Sequence, residues 1–345
     1  MNLEKPERIP RTEYSAAQHW ELVKAETGID VSVDSPPEVK QRASAAFASP
    51  EHWNYDLQWS TLISRRDLGD KRTAMGHAVY AAGGVDFDTN IHELFATPED
   101  ALAFDPMESL PRVEHAEMVR RFEEHYAANC ERSPEAVNMT GVYITFISGL
   151  LELFGWDMLL LAAGTDEAAF GRVSLRYAEW IGRYYAALGD ADVPVVMVHD
   201  DIVWTSGPFI HPDWYRTYVF PSYKKYFAPL LESGKKILFT SDGNYDEFVP
   251  DLVDCGIHGF VMEPMTDMAA IADAYGEDHV IVGNADTRIL LSGDRPAIRA
   301  EVERCLNIGR DCPGFFMAVG NHIPPNTPVD AALYYNEVYE ELSRR

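Results

Sequence analysis

The sequence predicts an α/β protein, a (β/α)8 barrel of the TIM type with an N-terminal helical extension. Three observations carry that prediction. The second half of the 345-residue chain repeats short apolar runs, each ending in a polar cluster. Residues 193–198 run into His199-Asp200-Asp201, 236–239 into Thr240-Ser-Asp-Gly-Asn244, and 258–262 into Glu263. Residues 279–282 run into Gly283-Asn-Ala-Asp-Thr287 and 314–319 into Gly320-Asn-His322. Runs this short, rich in β-branched and aromatic side chains, read as strands buried on both faces. Second, stretches long enough for helices separate them, so the repeat is β-α and the sheet is parallel. Third, no glycine-rich dinucleotide or phosphate-loop fingerprint follows any strand, which favours the closed barrel over an open doubly wound sheet. In such folds the C-terminal strand ends carry the chemistry, and here His, Asp, Glu and Asn gather there.

Taken in order, residues 1–60 read as an extension packed on a barrel of residues 61–345, one domain overall. The stretches 16–27 and 37–48 read as short helices around a turn-prone 31–37, while 8–14 and 57–63 are the strands needed to bring the count to eight. Thr97-Pro-Glu-Asp100 opens a helix, with threonine as N-cap and proline in the first helical position. The spacing of Val113, Met118 and Phe122 predicts a helix over 113–129, and 136–139 is a short strand. Residues 165–169 cap a helix reaching 188, and Pro212 starts another, bent at Pro221 and interrupted at Pro229. The stretches 246–255, 267–275, 296–309 and 328–342 supply the remaining crossovers, with Gly256 and Gly276 where helix-ending glycines belong.

Composition narrows the partners. Hydrophobic residues make up 46% of the chain, enough for a sizeable core. No run approaches the roughly eighteen apolar residues of a membrane span, and residues 1–10 contain no apolar leader region. No membrane association is therefore expected, and the expected location is the cytoplasm. A net charge of −26 argues against nucleic acid, whose binding rests on Lys and Arg neutralising phosphates. Cys130, Cys255, Cys305 and Cys312 show no C-x-x-C spacing and read as buried thiols.

Candidate site residues stand at the strand ends. In the His199-Asp200-Asp201 cluster the period of two lets at most two side chains face one pocket, and Asp201 reads as general acid, metal ligand or loop cap. Asp242 precedes Gly243, which permits close backbone approach, and Asn244 offers donor and acceptor to a substrate or simply completes a turn. Glu263 ends a buried run, where a carboxylate is costly unless paired or metal-bound. His322 is followed by Ile323-Pro324-Pro325, a stiff loop suited to holding an imidazole. His77 and Asp286 are lesser candidates. Trp53, Tyr55, Trp59, Tyr143, Phe146, Trp204 and Phe209 are core or pocket aromatics, with Tyr143 and Phe209 favoured for a pocket.

Several strings together resemble a known family: Lys5-Pro-Glu-Arg-Ile-Pro10, Met75-Gly-His-Ala78, Gly207-Pro-Phe-Ile-His-Pro212 followed by Tyr215-Arg216, Thr240-Ser-Asp-Gly-Asn244 and Ile323-Pro-Pro-Asn-Thr-Pro328. They are similar to the uroporphyrinogen decarboxylase superfamily, which includes true decarboxylases and cobalamin-linked methyltransferases acting with corrinoid proteins. The resemblance implies a (β/α)8 barrel with its site in the C-terminal mouth. True decarboxylases carry an Arg-Gln-Ala-Gly-Arg type segment for the acidic porphyrinogen; this chain has none, and Arg65, Arg66 and Arg72 do not match it. Their Gly-His-Gly-Ile segment corresponds to Gly320-Asn-His-Ile323. Thiol-directed methyltransferases hold zinc by a His-x-Cys pair and a later cysteine, where this chain has Thr240, Asp242 and Asn321.

The resemblance thus implies the branch that takes methyl from methoxylated or methylated small molecules. Zinc would be held by Asp242, Glu263, His322 and His199, and a corrinoid on a separate partner protein would accept the methyl (O-demethylase type). Catalysis would fall to Asp201, Glu263 and His322, and substrate contacts to His77, Tyr143, Phe209, Asn244 and Asn321. The alternatives are a decarboxylase of uroporphyrinogen or another acidic substrate, and a non-catalytic binding barrel. Oligomeric state stays open, a homodimer included.

Overall fold

In the computed structural model the buried runs become strands and the intervening stretches helices. It describes residues 3–73 and 93–345 and, between them, the backbone of two short strands. The first half holds β1 (Leu57–Gln58), β2 (Val79–Ala81), β3 (Gly84–Asp86), β4 (Val137–Asn138) and β5 (Thr140–Val142). The second half holds β6 (Val195–His199), β7 (Lys236–Ser241), β8 (Gly259–Met262), β9 (Val280–Ala285) and β10 (Phe315–Val319). Strands β5 to β10 form one parallel sheet in chain order, β10-β9-β8-β7-β6-β5, while β2 and β3 pair antiparallel.

Hydrogen bonds carry this sheet round into a ring. At one edge, Thr12 N donates to Met317 O (3.0 Å) and Met317 N to Pro10 O (2.7 Å), laying residues 10–12 beside β10. That stretch meets the next stave where Asp56 N donates to Arg11 O (2.9 Å). Val137 N donates to Asp56 O (2.8 Å), and β1 pairs in parallel with β4. Further along, Tyr143 N donates to Ile63 O (2.8 Å), beside the parallel bridge of Ile63 to Val142. The stretches 8–14 and 57–63 are therefore the seventh and eighth staves of a (β/α)8 barrel. Residues read from sequence as extension supply the stave between β10 and β1.

Period-two alternation sorts the side chains into two layers. Val195, Met197, Leu238, Val261, Val280 and Phe316 cluster with Leu57 and Met139 inside the ring. Their neighbours Val196, Val198, Ile237, Phe239, Phe260 and Ile281 join the larger core between strands and helices. This is the packed interior that a closed barrel requires.

Helices fall near the expected stretches. Pro37–Ala48 forms as expected, and Thr97 caps Pro98–Leu102 by accepting from Asp100 N (3.2 Å). Asp166 caps Glu167–Asp190 by accepting from Ala169 N (2.8 Å). After Pro212–Trp214 a π-turn spans Tyr215–Val219, then Phe220–Glu232 continues with Pro229 inside it. Gly276 differs from expectation: its φ is −65°, so that helix ends without a left-handed residue, whereas Gly256 is left-handed at +91°.

The helix Ile147–Thr165, apolar nearly all round, is an addition to the expected elements. It is long and apolar enough to cross a membrane by length and composition, yet 67% of its apolar window is buried inside the protein, as in a core helix.

Candidate active site

Strand direction decides what each polar cluster faces. His199 shares the parity of Val195 and Met197 and lines a cavity of about 330 Å³ at the C-terminal end of the ring. Asp200 has the opposite parity and points into the helical layer. There it accepts from Ser148 N (2.6 Å), capping Ile147–Thr165, and from the Tyr223 hydroxyl. Burial pushes the Asp200 carboxyl up to about 6, against the pull of those hydrogen bonds. Asp201 turns back towards the site, its own N–H held by Ser148 Oγ (2.8 Å).

A chain of contacts then joins four strand ends. His199 Nε2 lies 3.4 Å from Asp201 Oδ1, which accepts from Asp242 N (3.0 Å). The Asn321 amide donates to Asp242 Oδ2 (3.3 Å) and to Glu263 Oε1. Glu263 Oε2 accepts from Gly243 N (2.6 Å), and Asn321 Oδ1 accepts from His322 N (2.7 Å). Groups from β6, β7, β8 and β10 thereby converge on one rim. The other imidazole nitrogen of His199 meets the Tyr143 carbonyl at 2.8 Å. A carbonyl only accepts, so Nδ1 donates to it, which leaves Nε2 facing the Asp201 oxygen.

Electrostatics single out Asp242. It lines the cavity yet is ringed by protein atoms. Burial, followed by the negative charges of Asp201 and Glu263, holds its carboxyl well above the usual range, with only the Asn321 hydrogen bond opposing. The direction of that shift favours the protonated form of Asp242. His322, also lining the cavity, is shifted downward by burial and by His199, so its imidazole is neutral there.

The opposite wall comes from the first staves. Tyr14, Tyr55, Trp59 and Tyr143 line the same cavity. Trp59 stands edge-on to Tyr14 (6.4 Å, 88°) and to Tyr143 (6.0 Å, 84°), while Tyr143 stacks on His199 (3.7 Å, 7°). Glu13 anchors this wall: it accepts from Arg11 Nη2 (3.0 Å), the Tyr335 hydroxyl (2.7 Å) and Val319 N (2.9 Å) at the end of β10. Both members of the Arg11–Glu13 pair are fully buried, and Arg11 lies over the Trp53 and Tyr339 rings at 4.6 and 4.3 Å.

The expected residues divide accordingly. Asp201, Asp242, Glu263, His199, His322, Tyr143 and Asn321 are brought together. Asn244 instead makes a turn, its Oδ1 accepting from Asp246 N (3.0 Å). Gly243, left-handed at +83°, packs on the Trp204 backbone, where an added Cβ would sit 2.5 Å from the carbonyl oxygen. Phe209 packs with Trp156 and Trp204 away from the cavity lining, Asp286 caps the helix Thr287–Ser292, and His77 lies outside the described residues. Glu13 and Tyr14 escaped the sequence reading. They end the stave 8–14, and the strand-end rule applied to that stave would have found them.

Two expectations about charge meet this geometry. Among the described residues no group of three or more His, Cys, Asp or Glu side chains is placed to hold a metal ion. Asp242 and Glu263 are turned onto the Asn321 amide and Gly243 N–H, and His199 onto Tyr143 and Asp201, so the set as placed does not fit zinc. Among the described residues no Lys or Arg lines the cavity, and the sequence of 74–92 contains neither. Arg65 is engaged with Glu152 (3.1 Å) and the Thr73 carbonyl (2.8 Å).

Comparison with known proteins agrees with this architecture. The sequence model of the uroporphyrinogen decarboxylase (URO-D) family matches residues 155–342, over half the chain. A uroporphyrinogen decarboxylase of Thermus thermophilus is 26% identical over 178 residues, 52% of this chain and 50% of that protein. One of Carboxydothermus hydrogenoformans is 28% identical over 168 residues, 49% of this chain and 46% of that protein. The alignments thus span about half the length of these curated relatives. Among solved structures, a methyltransferase from Methanosarcina mazei superposes with a TM-score of 0.62 at 17% identity, covering 98% of this chain and 95% of that one. That likeness concerns the fold. With the family match running from the helix Ile147–Thr165 through the whole acidic rim, the chain belongs to the uroporphyrinogen decarboxylase (URO-D) family.

Proposed function

We propose that this URO-D family enzyme is a methyltransferase, moving a methyl group from a small methylated molecule in the cavity to a corrinoid carried by a separate protein. One observation carries the reading: Asp242 lines the cavity beside Asp201 and Glu263, and the described lining residues include no Lys or Arg. An acidic porphyrinogen brings many carboxylates, which this wall would repel, whereas a neutral or cationic donor meets no such cost. The methyl–heteroatom bond breaks and its electron pair stays on the leaving oxygen or nitrogen. A leaving oxygen takes the Asp242 proton, whereas a methylated ammonium leaves as a neutral amine and needs none; in both cases the methyl carbon bonds to the reduced cobalt of the acceptor. Asn321 orients Asp242. No step is assigned to zinc.

The names of the curated relatives favour a second reading, decarboxylation of an acidic substrate. It needs cations for the substrate's carboxylates, and the described cavity lining supplies none. The two readings separate in paired assays on the purified chain. One follows methylcobalamin formation from cob(I)alamin with a panel of methoxy and methylammonium donors; the other follows CO2 release from uroporphyrinogen. Methylcobalamin without CO2 release is expected. CO2 release without methyl transfer overturns the proposal.

A further inference from the structure

We infer that the substrate carries its methyl groups on a positively charged nitrogen, and that the aromatic wall of the first staves is the receptor for that cation. The inference rests on the reading of this cavity as the substrate site and goes further by naming the chemical class. Tyr14, Trp59 and Tyr143 stand nearly perpendicular in sequence around one side of the cavity, with Tyr55 completing the wall. Perpendicular rings present π faces in different directions, the arrangement that encloses a methylated ammonium group by cation–π attraction.

Charge on the other side matches. Asp242 lines the cavity with Asp201 and Glu263 directly behind it, and Glu13 is the other lining carboxylate. Arg11 neutralises Glu13; Arg288 is held by Asp286 (2.6 Å). Positive charge near the rim is thus already committed, and the excess is negative. Among the described residues the buried hydroxyls of Tyr14 and Tyr55 have no hydrogen-bond partner, which leaves room for a polar group on the ligand. A volume of about 330 Å³ suits a small molecule at the lower end of ligand pockets.

These rings all precede residue 155, where the family match begins. The cation receptor is accordingly a property of this chain's own N-terminal staves, while the acidic rim lies in the matched span.

The test compares choline with its neutral isostere 3,3-dimethyl-1-butanol by calorimetry on the full chain. Choline is expected to bind at least about tenfold more tightly, the scale of a desolvated cation–π contact. In Trp59→Leu the preference should fall to within about threefold, with thermal melting confirming that the variant folds. Should Trp59→Leu fail to fold, Tyr143→Leu takes its place. Equal binding of the two probes, or no choline binding up to millimolar concentration, overturns the inference. A choline preference without methyl transfer in the cobalamin assay supports the cation site and removes only the proposed reaction.

Discussion

The barrel has two unlike arcs. From β6 to β10 the staves are four to six residues long and fully laddered, and their ends carry Asp201, Asp242, Glu263 and Asn321. From residue 8 to residue 143 the staves are joined to one another by a two-residue pairing and single bridges, with three residues of β5 laddered to β6, and their ends carry Tyr14, Trp59 and Tyr143. Three carboxylates linked through shared backbone N–H groups and one amide repel, so they need backbone held on both sides by a continuous ladder. Rings that contact a ligand through their faces tolerate looser backbone, provided side chains anchor it. The Arg11–Glu13 pair is such an anchor, tying the first stave to Val319 N of the last. On the function proposed above, the difference amounts to a division of labour: the regular arc would handle protons and the irregular arc would select the ligand.

Substitutions sharpen or break that division. Asp242→Asn, which removes the proton but keeps the shape, should lower kcat by about 10²–10⁴-fold with KM nearly unchanged, read from steady-state methyl transfer from a methoxy donor. An unchanged kcat would move proton handling elsewhere. Arg11→Met leaves Glu13 buried without its cation and should cost about 3–5 kcal/mol, read from denaturant unfolding. A small loss would mean that the irregular arc is held by its backbone after all.

Acid–base linkage gives a third test. The Asp200 carboxyl is raised to about 6 when folded and is ordinary when unfolded, so the folded state holds its proton over a wider range. Its contribution is fully present below about pH 4 and lost as pH rises through about 6, amounting to about 3 kcal/mol. Asp200→Asn should flatten this dependence, so the stability difference between variant and parent should change across that window. Trp59→Leu should raise KM for a cationic donor about fivefold and leave kcat alone. Smallest of all, dialysis against a chelator should leave turnover unchanged, because the rim side chains, though close, are turned onto protein partners and no three among the described residues are placed to hold a metal ion. Loss of activity that zinc restores would show Asp242, Glu263 and His322 rearranging around an ion.

Much of the regular arc was legible in the sequence. Its strands are unbroken apolar runs ended by turn residues, so period and boundary agree, and the strand-end rule led straight to Asp201, Asp242, Glu263 and His322. The irregular arc was legible only as location: 8–14 and 57–63 were recognised as staves because eight were needed. Their side-chain roles were not, since Glu13 is fixed in part by Val319 and Tyr335, more than 300 residues away, and Tyr14 meets Trp59 on the next stave. Asn244 and Phe209 misled for a related reason. Both stand beside strand ends, but the Asx turn of Asn244 and the Trp156–Trp204 cluster around Phe209 are tertiary outcomes that local spacing does not encode. The helix Ile147–Thr165 escaped because an all-round apolar segment has no amphipathic period.

The pairing of residues 10–12 with Met317 sets the order in which the molecule can be completed. The earliest stave has no neighbour on that side until ribosomal synthesis has passed residue 317, so its edge stays unsatisfied during nearly the whole of translation. Such distant pairing raises contact order and slows assembly.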